Sequence, residues 1–568
     1  MIKIENGILY LTAGEACCVF KVAEDKTLRR VYFGKRVEFE DDVCALLGVR
    51  PESEGVRGGD FTFVRAEVLP DKPHGTLPTL VGGKTLVIEL EDADKKLKAE
   101  IFVTPYSRGG FTRRVRVVNN GEKAVSLDCE RTLFELPEPF EVVAVGRDGN
   151  IVKGESTPNG ANNGLSNFAA LLSRGADGNH SDAYGFLSVF GNGAIGAEQT
   201  ENGMTVTCAP TVKKVKLGAG ESVELPEVLL VYSDRGLGGM SRVFHDVVRE
   251  FMTGKTVDRR PPTVMFATSP EKKLCAAAEV ALELGCDVFA VDIGKVSRSS
   301  LDKVTAACHD IGIKAGVRIN PYNIEKGSAA FGEGYTERTA DGKYKVVDLK
   351  KFMSAFTALM QGYAFEYALI DLPWMGDDFG AQAMCEFRNE ASKLSPELTI
   401  EWGVVPRKLR YAETLCYPTA LMRTVVTAEA VESGALKTEF DAASVGRLGY
   451  ELDPLELSDG VKRAIRAQVF SYQDDAPTAL FGDLYRAGMT GGKSMTFVSK
   501  DKSKAYVVCV PTDGGVHKVF LTGIDEHNLY HVREMNKTFS GAALVCCGVT
   551  VGSANSFTLH LRQVADYE

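Results

Sequence analysis

Tryptophan occurs only twice in the 568 residues, at Trp374 and Trp402, and histidine only eight times. The histidines are dispersed, HExxH is absent and no close His/Cys cluster appears, so a zinc site is not expected. The thirteen cysteines form no CxxC pair. Their odd number, and the vicinal pairs Cys17-Cys18 and Cys546-Cys547 that a strand would turn to opposite faces, suit reduced core thiols rather than a disulfide framework. There is no Lys/Arg block, and a net charge of -10 argues against nucleic acid as the main partner. No stretch reaches the ~18 apolar residues of a membrane span, and the N-terminus lacks a basic segment followed by a long apolar one; a cytoplasmic protein with no membrane partner is the expectation. Gly238-Gly239-Met240 precedes a helical pattern without a phosphate-loop fingerprint, so no organic cofactor is implied.

Ordinary globular composition remains: 44% hydrophobic, 25% charged and 57 glycines. A chain of this length exceeds a single core. Residues 1–255 alternate short strands with turn signals. "TLVIELEDADKKLKAEIFVTP" and "FTRRVRVVNNGEKAVSLDCERTLFEL" show period-two patterning broken by Asp-Ala-Asp and Asn-Asn-Gly-Glu, which predicts antiparallel hairpins in an N-terminal β-sandwich. Pro261-Pro262 marks a linker, after which the rhythm changes. "TVMFAT", "CDVFAVD", "IKAGVRIN", "YALID" and "LTIEW" alternate with helical patterns, one of them opening at Ser269 before Pro270-Glu271. Repeated β-α units predict a central (β/α) TIM-like barrel over 262–475; this is short against the ~250 residues of a full eight-fold barrel, which leaves a trimmed or irregular one open. Residues 476–568 return to strands and predict a small C-terminal antiparallel β-sandwich.

A parallel barrel carries its site at the C-terminal ends of its strands. Those positions are Asp292, Arg318 and Asn320, Asp371, and Glu401. Each tryptophan lies within three residues of one of these acids, and an aromatic face beside carboxylates suits a sugar ring. Two carboxylates on different strands suit glycoside chemistry.

With these residues in view, the chain resembles the melibiase-type α-galactosidases of glycoside hydrolase family 36. The resemblance rests on "VYSDRGLGGMSRVFHDVVREFM" (231–252), "RLGYELDPLELSDG" (447–460) and "FGDLYRAG" (481–488). It implies a retaining α-glycoside hydrolase with a carbohydrate substrate, no cofactor and self-association of unfixed number. It also implies that Asp371 is the nucleophile, although Leu369 stands where the family carries a lysine. The family's "DDGW" is similar to "DIGK" (292–295), keeping Asp292 but placing Lys295 at the tryptophan; its Gly-x-Trp is similar to "GVR", with Arg318 at the aromatic position. Substrate contacts are therefore expected from Asp292, Lys295, Arg318, Asn320, Trp374 and Trp402. The two added cations point to an acidic or otherwise modified α-glycoside. No aspartate matches the family's acid/base. Glu401 is the first replacement, Glu413 the second, and Asp377 with Asp378 the third. A glycosyl transferase using the same covalent route, and a carbohydrate-binding protein without catalysis, stand as alternatives.

Overall fold

The computed structural model describes residues 1–38, 59–136, 140–146, 150–157, 165–173, 181–200, 203–210, 212–252, 261–371, 398–402, 411–486, 489, 492–511, 515–552 and 556–564. The chain divides into two compact units. The first comprises residues 1–255, 374–385 and 410–418, the second 256–373, 386–409 and 419–568.

The first unit is built on a nine-stranded antiparallel sheet. It runs from Ile151–Gly154 at one edge, through Ser222–Ser233 and Phe111–Asn119 at its centre, to Thr62–Leu69 at the other. A four-stranded meander, Ile2–Glu5 to Leu28–Lys35, shares its core: Leu9, Leu11, Phe20 and Phe33 pack with Leu86, Ile88, Ile101 and Val115. The hairpin expected at Asp92-Ala-Asp forms, with Asp92 opposite Leu97. The one expected at Asn119-Asn-Gly-Glu does not. Phe111–Asn119 pairs with Ser222–Ser233 and Leu97–Pro105, and Val125–Asp128 leaves to pair with Lys214–Leu217. The Asn119 side chain explains the divergence: its amide donates to Lys123, Leu217 and Gly218 carbonyls, and its oxygen accepts from Gly121 N, fixing a crossover rather than a tight turn. Helix Gly236–Phe251 lies on this sheet through Met240, Phe244 and Val248.

The second unit contains a seven-stranded parallel sheet: β1 (Val264–Ala267), β2 (Val288–Asp292), β3 (Lys314–Ile319), β4 (Tyr367–Ile370), β5 (Thr399–Trp402), β6 (Arg423–Thr427) and β7 (Arg447–Leu452). Their order is β5-β4-β3-β2-β1-β7-β6, every neighbouring pair parallel. Helices Leu274–Glu283, Arg298–Ile311, Leu349–Gly362 and Asp459–Phe481 alternate with strands. Five strands coincide with the apolar runs read from the sequence, whereas β6 and β7 were not read as strands. Ser269 does not cap the first helix. A 3-10 turn intervenes at Glu271–Lys273, and the Ser269 hydroxyl donates to Asp453 at 2.5 Å.

Val264, Phe266, Val288, Ala290, Tyr367, Leu369 and Val425 form one buried cluster, the packed interior of this sheet. Two glycines make the room. A Cβ on Gly449 would stand 2.9 Å from the Phe266 ring, and one on Gly316 3.0 Å from that of Tyr367. Because side chains alternate along a strand, Tyr367, Leu369 and Asp371 share one face. Two of them fill the interior and the third emerges at its C-terminal mouth.

The end of the second unit is a six-stranded antiparallel sheet running from Asp483–Tyr485 to Lys537–Ser540. A ribbon of His517–Val519 and Val549–Val551, with a short helix Gly541–Cys546, shares its core. Cys17 and Cys18 are buried in a strand as expected; Cys546 and Cys547 instead end that helix and are exposed. His560 ties helix Asp459–Phe481 to this sheet. Its ring nitrogens meet Asp475 at 2.8 Å and Glu534 at 2.5 Å, Arg533 faces the same ring, and Tyr506 lies against it at 5.0 Å. Burial favours neutral imidazole, but the two carboxylates outweigh burial and raise the pKa above 6.5. A raised folded pKa gives a contribution that is complete below 6.5 and is lost as pH rises through the folded value. The stability advantage of wild type over His560→Gln, measured as Tm across pH, is therefore expected to shrink towards alkaline pH; an advantage growing with pH would contradict this bracket.

Candidate active site

Arg318, near the end of β3, crosses the mouth between two acids. Its Nε and Nη2 donate to the same oxygen of Asp371, Oδ2, at 3.0 and 2.5 Å, and its Nη1 donates to Glu451 Oε1 at 2.6 Å. Asp371 immediately follows β4 and continues its ladder, donating its N–H to Ile319 O at 2.8 Å. Glu451 is the penultimate residue of β7. Among the described residues Asp371 Oδ1 has no hydrogen-bond partner. The Phe266 ring supports the guanidinium, its centroid 5.7 Å away. Burial disfavours the charged guanidinium, yet the Asp371 and Glu451 charges overcome this and drive its pKa higher still.

A cavity of about 230 Å³ opens beside this triad, lined by Phe266, Ser269, Asp292, Lys295, Arg318 and Glu451 among others. Asp292 ends β2, accepts from Gly294 N at 3.0 Å and lies 3.5 Å from Lys295 Nζ. Burial raises its pKa, a shift that Lys295 only partly offsets. The Lys295 side chain is 56% exposed and reaches solvent. Asn320 points its oxygen at Tyr322 N, 2.9 Å away, and so shapes the loop after β3. Asp292, Asp371 and Glu451 thus face Lys295 and Arg318. Whether Asp292 is ionised or protonated, cations do not outnumber carboxylates here, and each cation already has an acidic partner.

Glu401 is elsewhere. It lies within β5, in register with Leu369, two residues below Asp371. It is 6% exposed and accepts from Tyr367 Oη at 2.8 Å, Arg423 at 2.7 and 2.6 Å, and Arg447 at 2.8 Å. Burial would raise its pKa, but the charges of Arg423 and Arg447 prevail and hold it down to about 2. A carboxyl kept ionised and sealed from the mouth is unsuited to donating a proton near neutrality, which corrects the acid/base expectation for Glu401. Glu413 belongs to the first unit, buried in a 3-10 turn, Glu413–Leu415. Trp374, Asp377 and Asp378 lie outside the described residues, as does the side chain of Trp402. Glu451 was missed by the sequence reading; the signal for it was an acid near the end of "RLGYEL", a run not recognised as a strand.

The sequence and the fold both have counterparts among known proteins. The chain is 25% identical over 591 residues to the α-galactosidase Mel36A of Lactobacillus acidophilus, covering 84% of this chain and 80% of that protein. It is 23% identical over 583 residues to the α-galactosidase AgaA of Geobacillus stearothermophilus, covering 82% and 80%. The chain is a divergent relative of the family 36 α-galactosidases. The solved structure of the GH36 α-galactosidase AgaB from Geobacillus stearothermophilus superimposes on this GH36 relative with a TM-score of 0.82 at 20% identity, over 99% of this chain and 100% of that one. An AgaA variant solved with raffinose gives 0.81 at 20%, over 98% and 100%. No family model matches the chain. No helix among the described residues is long and apolar enough to cross a membrane.

Proposed function

We propose that this GH36 relative is a retaining α-glycoside hydrolase acting on a neutral hexoside, with Asp371 as nucleophile. The observation that carries the reading is Asp371 at the mouth of the sheet interior, its Oδ1 without a hydrogen bond among the described residues and its partner Arg318 lining a sugar-sized cavity together with Asp292 and Glu451. In the first step Oδ1 bonds to the anomeric carbon as the bond to the leaving oxygen breaks, and that oxygen takes up a proton. In the second, water attacks the same carbon, loses a proton and returns Asp371 as a carboxylate. Asp292 contacts the ring hydroxyls, as a donor when protonated, and Lys295 and Asn320 border the ring.

The charge balance favours a neutral sugar over the acidic one that Lys295 and Arg318 suggest by themselves. Arg318 already faces Asp371 and Glu451, and the largely solvated Lys295 faces Asp292, so an incoming carboxylate or sulfate meets no cation without an acidic partner. The test is a panel of aryl α-glycosides with good leaving groups, which need little acid assistance. Turnover of the galactoside or another neutral hexoside, with the glucuronide, galacturonide and sulfated sugars at least about 10-fold slower in kcat/KM, is expected. Preference for an anionic sugar would overturn the charge argument. Silence across the panel from a folded protein would favour a carbohydrate-binding role.

A further inference from the structure

An arginine facing an unhindered carboxylate ordinarily forms a two-pronged pair that engages both oxygens. Arg318 does not. Nε and Nη2 converge on Oδ2 of Asp371, while Nη1 is drawn to Glu451. The two acids stand just beyond β4 and on β7, with β3, β2 and β1 between those strands in the sheet order, so the guanidinium is pulled from both sides of the mouth. Side-chain exposures of 21% for Arg318, 13% for Asp371 and 24% for Glu451 leave all three partly shielded from competing water.

From this geometry we infer that Glu451 is a positioning residue for the nucleophile: by holding Nη1 it fixes Arg318 on a single oxygen of Asp371 and keeps Oδ1 free to attack. The inference rests on Asp371 being the nucleophile. Without the Glu451 charge, Arg318 is released to rotate into the two-pronged pair, where both Asp371 oxygens carry hydrogen bonds and attack requires breaking one. Glu451 also balances the second share of the Arg318 charge. Its loss concentrates the whole guanidinium on Asp371, withdrawing electron density from the oxygen that must form the bond. Glu451 lines the cavity but reaches Asp371 only through Arg318, so the defect is expected mainly in the chemical step rather than in sugar binding.

Glu451→Gln, Glu451→Asp and Asp371→Asn are compared with wild type on dinitrophenyl α-galactoside, with Tm measured for each. The expected result for Glu451→Gln is kcat lowered about 10- to 100-fold with KM within about 2-fold and Tm little changed. Glu451→Asp, which keeps the charge, is expected to recover part of kcat. A purely structural role for Glu451 would lower Tm or raise KM while sparing kcat, and that outcome overturns the inference. A crystal structure of Glu451→Ala gives a readout independent of turnover: Arg318 contacting both Asp371 oxygens supports the inference, and an unchanged single-oxygen contact sinks it. Asp371→Asn separates the two levels. If it is inactive and Glu451→Gln is normal, only the positioning role fails. If Asp371→Asn turns over like wild type, or folded wild type is silent on this glycoside, the nucleophile reading falls and takes the inference with it.

Discussion

Asp371→Asn is expected to lower turnover of an activated aryl α-glycoside by on the order of 10⁴-fold or more, the loss typical of removing a nucleophile. The amide is nearly isosteric and keeps an oxygen for Arg318, so the fold is expected to survive; circular dichroism and Tm beside the kinetics check this. The backbone of residue 371 is held by Ile319 O irrespective of its side chain. A small external nucleophile such as azide does not restore an asparagine that still fills the site, whereas in Asp371→Gly azide is expected to rescue turnover and yield a glycosyl azide of inverted configuration. Rescue with that stereochemistry would establish both the residue and the retaining course. A fully active Asp371→Asn enzyme would remove Asp371 from the mechanism.

The second large effect is structural. Glu401→Ala is expected to destabilise the second unit by about 3–5 kcal/mol, because it leaves Arg423 and Arg447 buried without their shared carboxylate. This corresponds to a Tm drop on the order of 10 °C. Replacing the three residues together by methionine is expected to return most of the loss, since the penalty comes from the orphaned charges and not from missing volume. The same network has a pH signature. Glu401 folds with a pKa of about 2 against 4.5 in the free side chain, so its contribution is complete above 4.5 and is lost as pH falls through about 2. Denaturant titrations at acidic and neutral pH check the sign: the gap between wild type and Glu401→Ala narrows in acid.

The contrast between Asp371 and Glu401 marks how far the residues alone could be read. Both terminate short apolar runs, and in sequence they look equivalent. Asp371 falls just beyond its strand, where the next residue on the interior face emerges at the mouth; Glu401 sits inside its strand, level with Leu369, and meets two arginines from strands distant in the chain. Burial of a carboxylate among such partners is a property of the closed sheet and has no local signature. Likewise Arg318 and Lys295 were legible as cations at strand ends, with Asp292 and Asp371 among the acids they could meet, but the Glu451 partner was not, and the proposal of a neutral sugar rests on that full set of pairs. Apolar runs such as "CDVFAVD" located the strands well because a buried parallel strand needs no polar face. "RTVVT" and "RLGYEL" escaped because each begins with an arginine that turns inward to an acid.

That inward turn has a geometric consequence. β5 and β6 are the two edges of the seven-stranded order, and among the described residues no backbone ladder joins them. Glu401 of one edge nevertheless reaches Arg423 of the other at 2.6 Å. The sheet is curled on itself and fastened by side chains. In a cylinder closed by hydrogen-bonded strands, girth and stagger change in whole units, one strand width or one residue pair at a time. A carboxylate–guanidinium clasp contributes a span set by side-chain length instead. Among the described residues the separation of these two edges is therefore set by side chains, and one reversed pair of residues at the clasp would alter it without adding or removing a strand.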